Sequence, residues 1–305
     1  MHTIKVNSIQ KLLLLLLFCL LSFPAAAKLN VFSCEPEWAA LASELGGERL
    51  KIYSATTAQQ DPHHIQASPS LIAKARRADL LVCTGAELEV GWLPLLLRKS
   101  GNSKIQPGQP GHFMAANAVS LLEQPAVLDR SQGDIHAAGN PHIHLDPRRI
   151  QAVAQALAVT LEVIDPQNQA EYQQNLQQFN MKWQDAMTRW QQQTAGLKGK
   201  QIVVNHNSWV YLEDWLGLQR IATLEPKPGI PPTGTHLSKI LTSMQANPAD
   251  LIIYADHQNE RPAKWLADKT NIPKVDLPFS VNQDEDIFQW YDRLITQLTG
   301  VADES

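Results

Sequence analysis

The chain has 305 residues, with 26 lysines and arginines against 30 aspartates and glutamates, and a formal net charge of −4. This acidic balance gives no electrostatic basis for binding nucleic acid, because affinity for a phosphate backbone comes from clustered Lys and Arg side chains. The length is sufficient for two compact lobes, each with its own hydrophobic core. We therefore expect a globular protein whose partners are not nucleic acids.

The N-terminus has the pattern of a cleaved signal peptide. Residues 12–22 form a short apolar core behind Lys5 and Lys11, and a PAAAK segment supplies small residues before a cleavage site at Lys28. The apolar run is shorter than the ~20 residues that a membrane-spanning helix needs. Residues 1–27 are predicted to be removed, which leaves an exported protein without a membrane helix.

Residues 28–164 are predicted to form an N-terminal α/β lobe, because short apolar runs alternate there with helical patterns. The predicted strands are 29–34, 50–56 and 79–85, and the predicted helices between them are 36–47 and 68–78. Residues 101–141 indicate irregular structure with one short strand. Asp146 and Pro147 then begin a helix, since Asp can cap the first turn and Pro needs no donor there.

Residues 165–199 are predicted to form one long linking helix, because apolar residues recur at spacings of three and four. Residues 200–305 repeat the strand–helix alternation and form a C-terminal α/β lobe. Its predicted strands are 201–206, 220–224, 249–255 and 273–278. Its predicted helices are 236–246, 260–270 and 285–299. The predicted fold is α/β, with two lobes, each a parallel sheet flanked by helices, joined by one long rigid backbone helix. Ligands bind in the cleft of such folds, beyond the carboxyl ends of the strands.

Two cysteines, Cys34 and Cys83, remain after residue 27, and both lie near the ends of predicted strands. An even pair in an exported protein suggests a disulfide. A bridge between neighbouring parallel strands requires unfavourable geometry, however. The sequence therefore leaves two alternatives for these cysteines, a disulfide and a pair of buried free thiols.

Candidate metal ligands stand close to the ends of predicted strands or the starts of predicted helices. They are His63 and His64 before Ser68, His142 and His144 before Asp146, His206 at the end of the strand 201–206, and Asp276 in the strand 273–278. If both sheets are parallel and face one cleft, these side chains point into it.

In order along the chain, these residues form motifs that resemble those of the TroA-like solute-binding protein family 9, the periplasmic metal-binding proteins of zinc and manganese ABC importers. The motifs are DPHH with SPS at 61–70, PHIHLDP at 141–147, DPQN at 165–168, HNSWVY at 206–211 and the late Asp276. Each motif alone is weak, but their order spans nearly all of the chain after residue 27.

The resemblance implies four metal ligands: His63, His142, His206 and Asp276. Three imidazoles and one carboxylate suit four-coordinate Zn²⁺, with Zn–N distances of ~2.0–2.1 Å and no open position for a reactive water. Mn²⁺ prefers more oxygen ligands, and the family's manganese members tend to replace the third histidine by a carboxylate. The expected transported ligand is therefore Zn²⁺, with Mn²⁺ less favoured.

The function that the resemblance implies is that of a high-affinity periplasmic Zn²⁺-binding protein, which captures zinc between its lobes and delivers it to an ABC importer permease. The expected partners are that inner-membrane permease with its ATPase and, as a further candidate, a periplasmic metallochaperone; a monomer is expected. The alternatives are a manganese-binding homologue and, in a different class, a zinc metallohydrolase. The chain is not expected to be an enzyme, because it has no HExxH motif and a fourth protein ligand would displace the water that hydrolysis needs.

Several residues depart from the family pattern and leave alternatives for the ligand shell. His144 stands where the family usually has Trp, and His64 directly follows the first ligand, so each is either a rival ligand or a group that supports or packs beside one. Asp256 is a candidate to orient a ligand imidazole. His136 is interpreted as a loop histidine, with transient binding of metal as the alternative. His257 is interpreted as a residue of the cleft rim, with contact to the metal as the less favoured alternative.

Overall fold

The computed structural model describes residues 27–125, 133 and 136–303. The predicted signal peptide lies outside these residues, apart from Ala27. Within the described part of the chain, no helix is both long and apolar enough to cross a bilayer.

The first lobe contains a four-stranded parallel sheet, as the alternation of apolar runs and helical patterns predicts. In chain order its strands are β1 (Leu29–Ser33), β2 (Leu50–Ser54), β3 (Leu80–Cys83) and β4 (His112–Met114), and their spatial order is β2-β1-β3-β4. Its helices are α1 (Pro36–Gly46), α2 (Pro69–Ala75), α3 (Leu93–Ser100) and α4 (Pro147–Ile164). Helix α4 begins as predicted, with the Asp146 side chain accepting from the Arg148 N–H and Pro in the first turn.

The second lobe repeats the same topology with a second four-stranded parallel sheet. Its strands are β5 (Gln201–Val204), β6 (Gln219–Thr223), β7 (Leu251–Ala255) and β8 (Lys274–Leu277), in the order β6-β5-β7-β8. Its helices are α6 (Val210–Leu216), α7 (Gly234–Met244), α8 (Arg261–Thr270) and α9 (Ile287–Asp303). Parallel sheets of this kind are covered on both faces, which explains why β3 and β7 are buried along their whole length.

The long helix α5 (Gln169–Gln193) joins the lobes, and its apolar stripe is buried as the spacing predicts. Tyr172, Phe179, Trp183 and Trp190 are almost fully buried on this stripe, where they pack against α1 and α4 of the first lobe and α9 of the second. Such aromatic side chains bury large apolar areas and dominate the energy of the contact. The helix is therefore part of both lobes' packing and not a flexible connection.

One continuous hydrophobic core crosses from lobe to lobe. It includes Val31 and Val82 of the first sheet, Trp183 of α5, and Ile202 and Ile253 of the second sheet. Because strand side chains alternate between faces, the other face of each sheet packs in a separate cluster that stays within its own lobe. The shared core fixes the two sheets so that the carboxyl ends of their strands border one cleft.

Buried hydrogen bonds connect the lobes beneath that cleft. The Ser280 hydroxyl donates to the Glu37 carboxylate at 2.5 Å, and His144 Nε2 donates to the Phe279 carbonyl oxygen at 3.1 Å. Hydrogen bonds that satisfy buried polar groups are costly to break, since an unpaired buried group loses its solvation without compensation. These contacts hold the floor of the cleft in one arrangement.

The two cysteines form a disulfide, which decides between the alternatives that the sequence leaves open. Cys34 follows β1 and Cys83 ends β3, its direct neighbour in the sheet, with a Cα–Cα distance of 4.8 Å. Both cysteines are fully buried. The bridge ties the strand end that precedes α1 to the strand at the centre of the first sheet.

Removal of this bridge is expected to destabilise the first lobe. The bridge spans 49 residues, and the loop-closure entropy of that length corresponds to about 4 kcal/mol of unfolding free energy. We expect Cys34→Ala/Cys83→Ala to lower the unfolding free energy by up to about this amount, measured by urea denaturation. A thiol assay on the denatured, unreduced protein should find no free thiol in the described chain; two free thiols would contradict the bridge.

Candidate metal centre

Three imidazoles from distant parts of the chain meet in the cleft between the lobes. The ring centres of His63, His142 and His206 are 5.6 Å, 5.8 Å and 6.0 Å apart in pairs. Three imidazoles that share one Zn²⁺ at ~2.0–2.1 Å keep their ring centres roughly 5–6 Å apart. All three border a cavity of about 380 Å³, so the structure brings together three of the four ligands that the sequence predicts.

Each of these imidazoles has its Nδ1 atom engaged by an oxygen. His63 Nδ1 lies 2.8 Å from Asp61 Oδ1, His142 Nδ1 lies 2.8 Å from Asn140 Oδ1, and His206 Nδ1 lies 2.6 Å from Glu225 Oε2. An oxygen acceptor at Nδ1 holds the proton there and leaves the Nε2 lone pair for a metal ion. The Nε2 atom is therefore the nitrogen that each ring offers to a metal ion. In the metal-free cleft the ligand atoms of the three rings do not all lie within 4.8 Å of one another, so the rings must approach further to share one ion.

Asp61 and Asn140 hold their histidines through the same local turn. Asp61 and Asn140 each precede their histidine by two residues, and each oxygen also accepts the backbone N–H of that histidine. The Asn140 amide nitrogen donates to the Asn207 carbonyl, so its oxygen must face His142. A short polar side chain two residues upstream thus fixes both the turn and the ring, which is typical of Asx turns.

Glu225 lies beside His206 because of the order of the strands in the second sheet. His206 closely follows β5 and Glu225 closely follows β6, and the two strands are parallel neighbours. Their carboxyl ends therefore meet at the same edge of the sheet, although the residues are far apart in sequence. The same Glu225 oxygen accepts the Gly229 N–H, which holds the carboxylate in place.

The surroundings shift the pKa values of His142 and Asp61 in the cleft. Burial, followed by the neighbouring imidazoles of His63 and His206, lowers the pKa of His142 well below its usual range. Burial alone would raise the pKa of Asp61, but hydrogen bonds from His63 outweigh it and lower that pKa. Metal binding requires unprotonated imidazole, and a carboxylate behind it increases its basicity.

Asp276 does not join the three imidazoles, contrary to the expectation from the sequence. Its neighbours Val275 and Leu277 are buried in the shared core, so strand alternation turns Asp276 to the other face of β8, where it is exposed. The residue that reaches the cavity after β8 is Phe279, whose ring packs against His142. Asp276 lies inside the strand, one residue before its end, and the alternation of side chains along β8 turns its carboxylate away from the cleft.

Asp256 and His64 have positions other than beside a ligand nitrogen. Asp256 accepts the Phe279 N–H and the Gln59 amide, so it links the end of β7 to the chain after β8 and to the opposite lobe. The His64 side chain is 68% exposed at the cavity rim and faces Asp61. The ligand-type imidazoles instead donate their Nδ1 hydrogen bonds to the three oxygens described above.

His144 is buried below the cleft and packs as an aromatic residue. Its ring stacks on Trp290 with 5.9 Å between ring centres, its Nε2 donates to the Phe279 carbonyl, and its Nδ1 faces Glu37. Burial lowers its pKa. With Nε2 already bonded across the lobe interface, His144 occupies the core position where the family usually has Trp.

Two further histidines, His136 and His257, each border a cavity of the cleft. His136 Nε2 lies 3.2 Å from His63 Nε2, a contact that the interpretation as a plain loop histidine does not foresee. His257 is buried next to Phe279, and its Nδ1 atom has no hydrogen-bond partner within the described residues. Neither residue belongs to one of the motifs, so the sequence offers no strong signal for either.

We predict that removal of the Asp61 or Glu225 carboxylate weakens metal binding without removing a ligand. Asp61→Ala and Glu225→Ala are each expected to reduce zinc affinity about 10–100-fold, the range typical of partners behind a ligand imidazole. Asp61→Asn should lose less, because an amide oxygen can still accept the Nδ1 proton. Asp214→Ala, which removes an exposed carboxylate paired with Arg148, is the matched control, and competition with a chromophoric chelator is the measurement. Equal affinities for all these variants would contradict the assignment.

We predict that His144→Phe affects stability and not metal binding. Phenylalanine keeps the contact with Trp290 but leaves the Phe279 carbonyl without its donor, which costs about 1–3 kcal/mol of unfolding free energy. Chemical denaturation should show this loss, while chelator competition should show zinc affinity close to that of the unchanged protein. A loss of zinc binding in a folded variant would make His144 a ligand.

Comparison with known proteins places this geometry in a family. The model of the family described as zinc-uptake complex component A, periplasmic (ZnuA), matches residues 31–301. The manganese ABC transporter substrate-binding lipoprotein PsaA of Streptococcus pneumoniae is 23% identical over 281 residues, which cover 88% of this chain and 87% of that protein. The high-affinity zinc uptake system protein ZnuA of Bacillus subtilis is 23% identical over 214 residues, or 68% of this chain and 64% of that protein.

Solved structures share the fold. A crystal structure of ZnuA superposes with a TM-score of 0.72 at 18% identity, covering 90% of this chain and 98% of the other. A Mn-bound periplasmic metal-binding protein from Candidatus Liberibacter asiaticus superposes with the same TM-score at 14% identity, covering 90% and 100%. The chain therefore belongs to the ZnuA family of TroA-like zinc and manganese substrate-binding proteins, which are not enzymes but the components of ABC metal importers that bind the ion for a permease and its ATPase.

Proposed function

We propose that this protein captures Zn²⁺ in the cleft between its lobes and delivers it to the permease of a zinc importer. The observation that carries the proposal is the set of three histidines, His63, His142 and His206, each with an oxygen at Nδ1 and Nε2 left as the donor. The family includes members named for zinc and members named for manganese. The choice between the two ions therefore rests on the donor atoms of this chain.

The donor set favours zinc over manganese. Imidazole nitrogen suits Zn²⁺, whereas Mn²⁺ is better served by carboxylate, carbonyl and water oxygens. The two carboxylates that approach the site, those of Asp61 and Glu225, are occupied by the Nδ1 atoms of His63 and His206 and by backbone N–H groups. The carboxylate that the family pattern would add, Asp276, lies on the exposed face of β8. What remains at the centre is a nitrogen-rich site.

Charge balance also supports capture of a divalent cation. Three neutral imidazoles contribute no charge, but Asp61 and Glu225 place two negative charges one imidazole away from the ion. Together they offset the double charge of Zn²⁺, and their hydrogen bonds make the imidazoles better donors. The site is thereby electrostatically complete without a carboxylate bound directly to the metal.

The cell compartment and partners follow from the same proposal. The apolar segment at 12–22 and the small residues before Lys28 support export by a signal peptide that is cleaved, and action in the periplasm. We propose that the mature chain is a monomer, and that a periplasmic metallochaperone is a candidate donor of zinc to it. The Cys34–Cys83 disulfide agrees with an oxidising compartment.

Direct competition between the two ions tests this function. We expect the metal-free protein to bind one Zn²⁺ at the cleft and to prefer it to Mn²⁺ by at least about a hundredfold, because nitrogen donors favour the later divalent ion. His206→Ala and His142→Ala should each abolish high-affinity zinc binding, while His112→Ala, which removes an imidazole bonded to the Ile105 carbonyl, should not. Calorimetric titration and metal analysis provide the measurement. Preference for Mn²⁺, or unchanged zinc binding in His142→Ala, would refute the proposal.

A further inference from the structure

The three imidazoles leave the fourth position of a tetrahedral ion to be filled. Structural and transported zinc held only by protein takes four ligands, whereas a fourth position left to water is the arrangement of a catalytic site. Asp276 is exposed on β8, and Phe279, the next residue of that segment to reach the cavity, has no donor side chain. A fourth protein ligand, if the site is closed, has to come from elsewhere in the cleft.

We propose that His136 is the fourth zinc ligand and replaces the carboxylate that the family pattern places in the second lobe. This inference rests on the proposed function, since it concerns the same ion in the same cleft. Its direct support is the distance of 3.2 Å between His136 Nε2 and His63 Nε2. Two nitrogens bound to one tetrahedral Zn²⁺ at ~2.0–2.1 Å are separated by about 3.3 Å, so the pair already has the spacing of one edge of the coordination sphere.

The His136 ring faces two of the three imidazoles of the cleft. The His136 ring centre lies 5.3 Å from that of His63 and 6.5 Å from that of His142. Asp61 holds a proton on His63 Nδ1, so in the metal-free protein the His136 Nε2–H donates to the lone pair of His63 Nε2. Zinc takes the place of the proton between the two nitrogens, and His136 then carries its own proton on Nδ1.

Contacts on both sides hold His136 near the cleft. The N–H of Ala137 donates to Glu87 Oε2 of the first lobe at 2.7 Å. Gly133, at a φ of +91°, lies so close to the second lobe that an added Cβ would come within 2.2 Å of the Pro228 carbonyl oxygen. The backbone N–H of Gly139 also bonds to the His136 carbonyl oxygen. Gly133 and Ala137 thus contact different lobes, and Glu87 is the positioning residue for the backbone directly after His136.

His257 is the main rival for the fourth position. It borders the same cavity and has a buried Nδ1 atom without a partner within the described residues. Phe279 packs edge-on against both His257, at 5.1 Å, and His142, at 5.7 Å, so its ring occupies the space beside both imidazoles. None of the described contacts joins a His257 nitrogen to a ligand nitrogen, whereas His136 makes one.

Coordination and affinity measurements on the full mature chain test the inference. We expect X-ray absorption of the zinc-loaded protein to show four nitrogen ligands, and His136→Ala to show three. We also expect His136→Ala to lower zinc affinity by more than the ~10–100-fold typical of a partner behind a ligand. Cobalt substitution provides a second readout, because the strong visible absorption of four-coordinate Co²⁺ should weaken as water enters in His136→Ala.

The comparison variants separate this inference from the proposed function. Asp276→Ala and His257→Ala should keep four nitrogens and high affinity, and His112→Ala is the matched control for loss of an imidazole. Four nitrogens retained in His136→Ala, or loss of a ligand in Asp276→Ala or His257→Ala, would overturn the role of His136 and leave the proposed function intact. Unchanged zinc binding in His142→Ala would instead overturn the proposed function.

Variants of Glu87 test the placement of His136 independently. Glu87→Ala removes the acceptor of the Ala137 N–H and should lower zinc affinity, whereas Glu87→Gln keeps an acceptor oxygen and should restore most of it. Circular dichroism and thermal melting of each variant establish that the fold is intact. Equal zinc affinities for Glu87→Ala, Glu87→Gln and the unchanged protein would contradict the attachment of His136 through Glu87.

Discussion

Hydrogen bonds to imidazole Nδ1 atoms are the interaction on which the rest of this cleft depends. Asp61, Asn140 and Glu225 each hold the proton of one ring on the nitrogen that faces away from the centre of the site. A histidine without such a partner can present either nitrogen and can rotate, so it has to be ordered when the metal binds. Here the hydrogen bond at Nδ1 orients each ring before the ion arrives and leaves Nε2 as the nitrogen that faces the centre of the site.

These hydrogen bonds hold their geometry only because the two sheets are fixed relative to each other. Asp61 and Asn140 belong to the first lobe, while Glu225 and His206 lie beyond strands of the second. The shared core, with Trp183 of α5 at its centre, keeps the carboxyl ends of both sheets at the border of one cleft. The buried contacts of Glu37 and His144 with the second lobe act at the same interface. Metal selectivity therefore depends on packing far from the ion as well as on the ligands.

The sequence predicts most of the fold and three of the proposed ligands, because the signals for both are local. Alternating apolar runs predict the strands, and the caps at Ser68 and Asp146 predict helix starts shortly after His63 and His142. The position of Asp276 near a strand end predicts a place at the cleft, but the face on which a strand residue lies depends on the exact register, and a shift of one residue reverses it. The contact of His136 with His63 joins residues 73 positions apart, and His136 lies outside the predicted strands and helices, so no hydrophobic periodicity predicts it.

The distribution of burial among the ligands suggests how a nitrogen-rich cage can still release its ion. His142 is 2% exposed and stands at the entry to α4, which is packed into the shared core. His63 lies on a short turn before α2 and His206 lies after β5, and the side chains of both are 12% exposed. Large separation of the lobes would disrupt the core that includes α5, at a cost of many buried apolar contacts. Exchange of zinc is therefore expected to proceed by movement of the segments that carry the outer imidazoles, while His142 and the floor beneath it keep their positions.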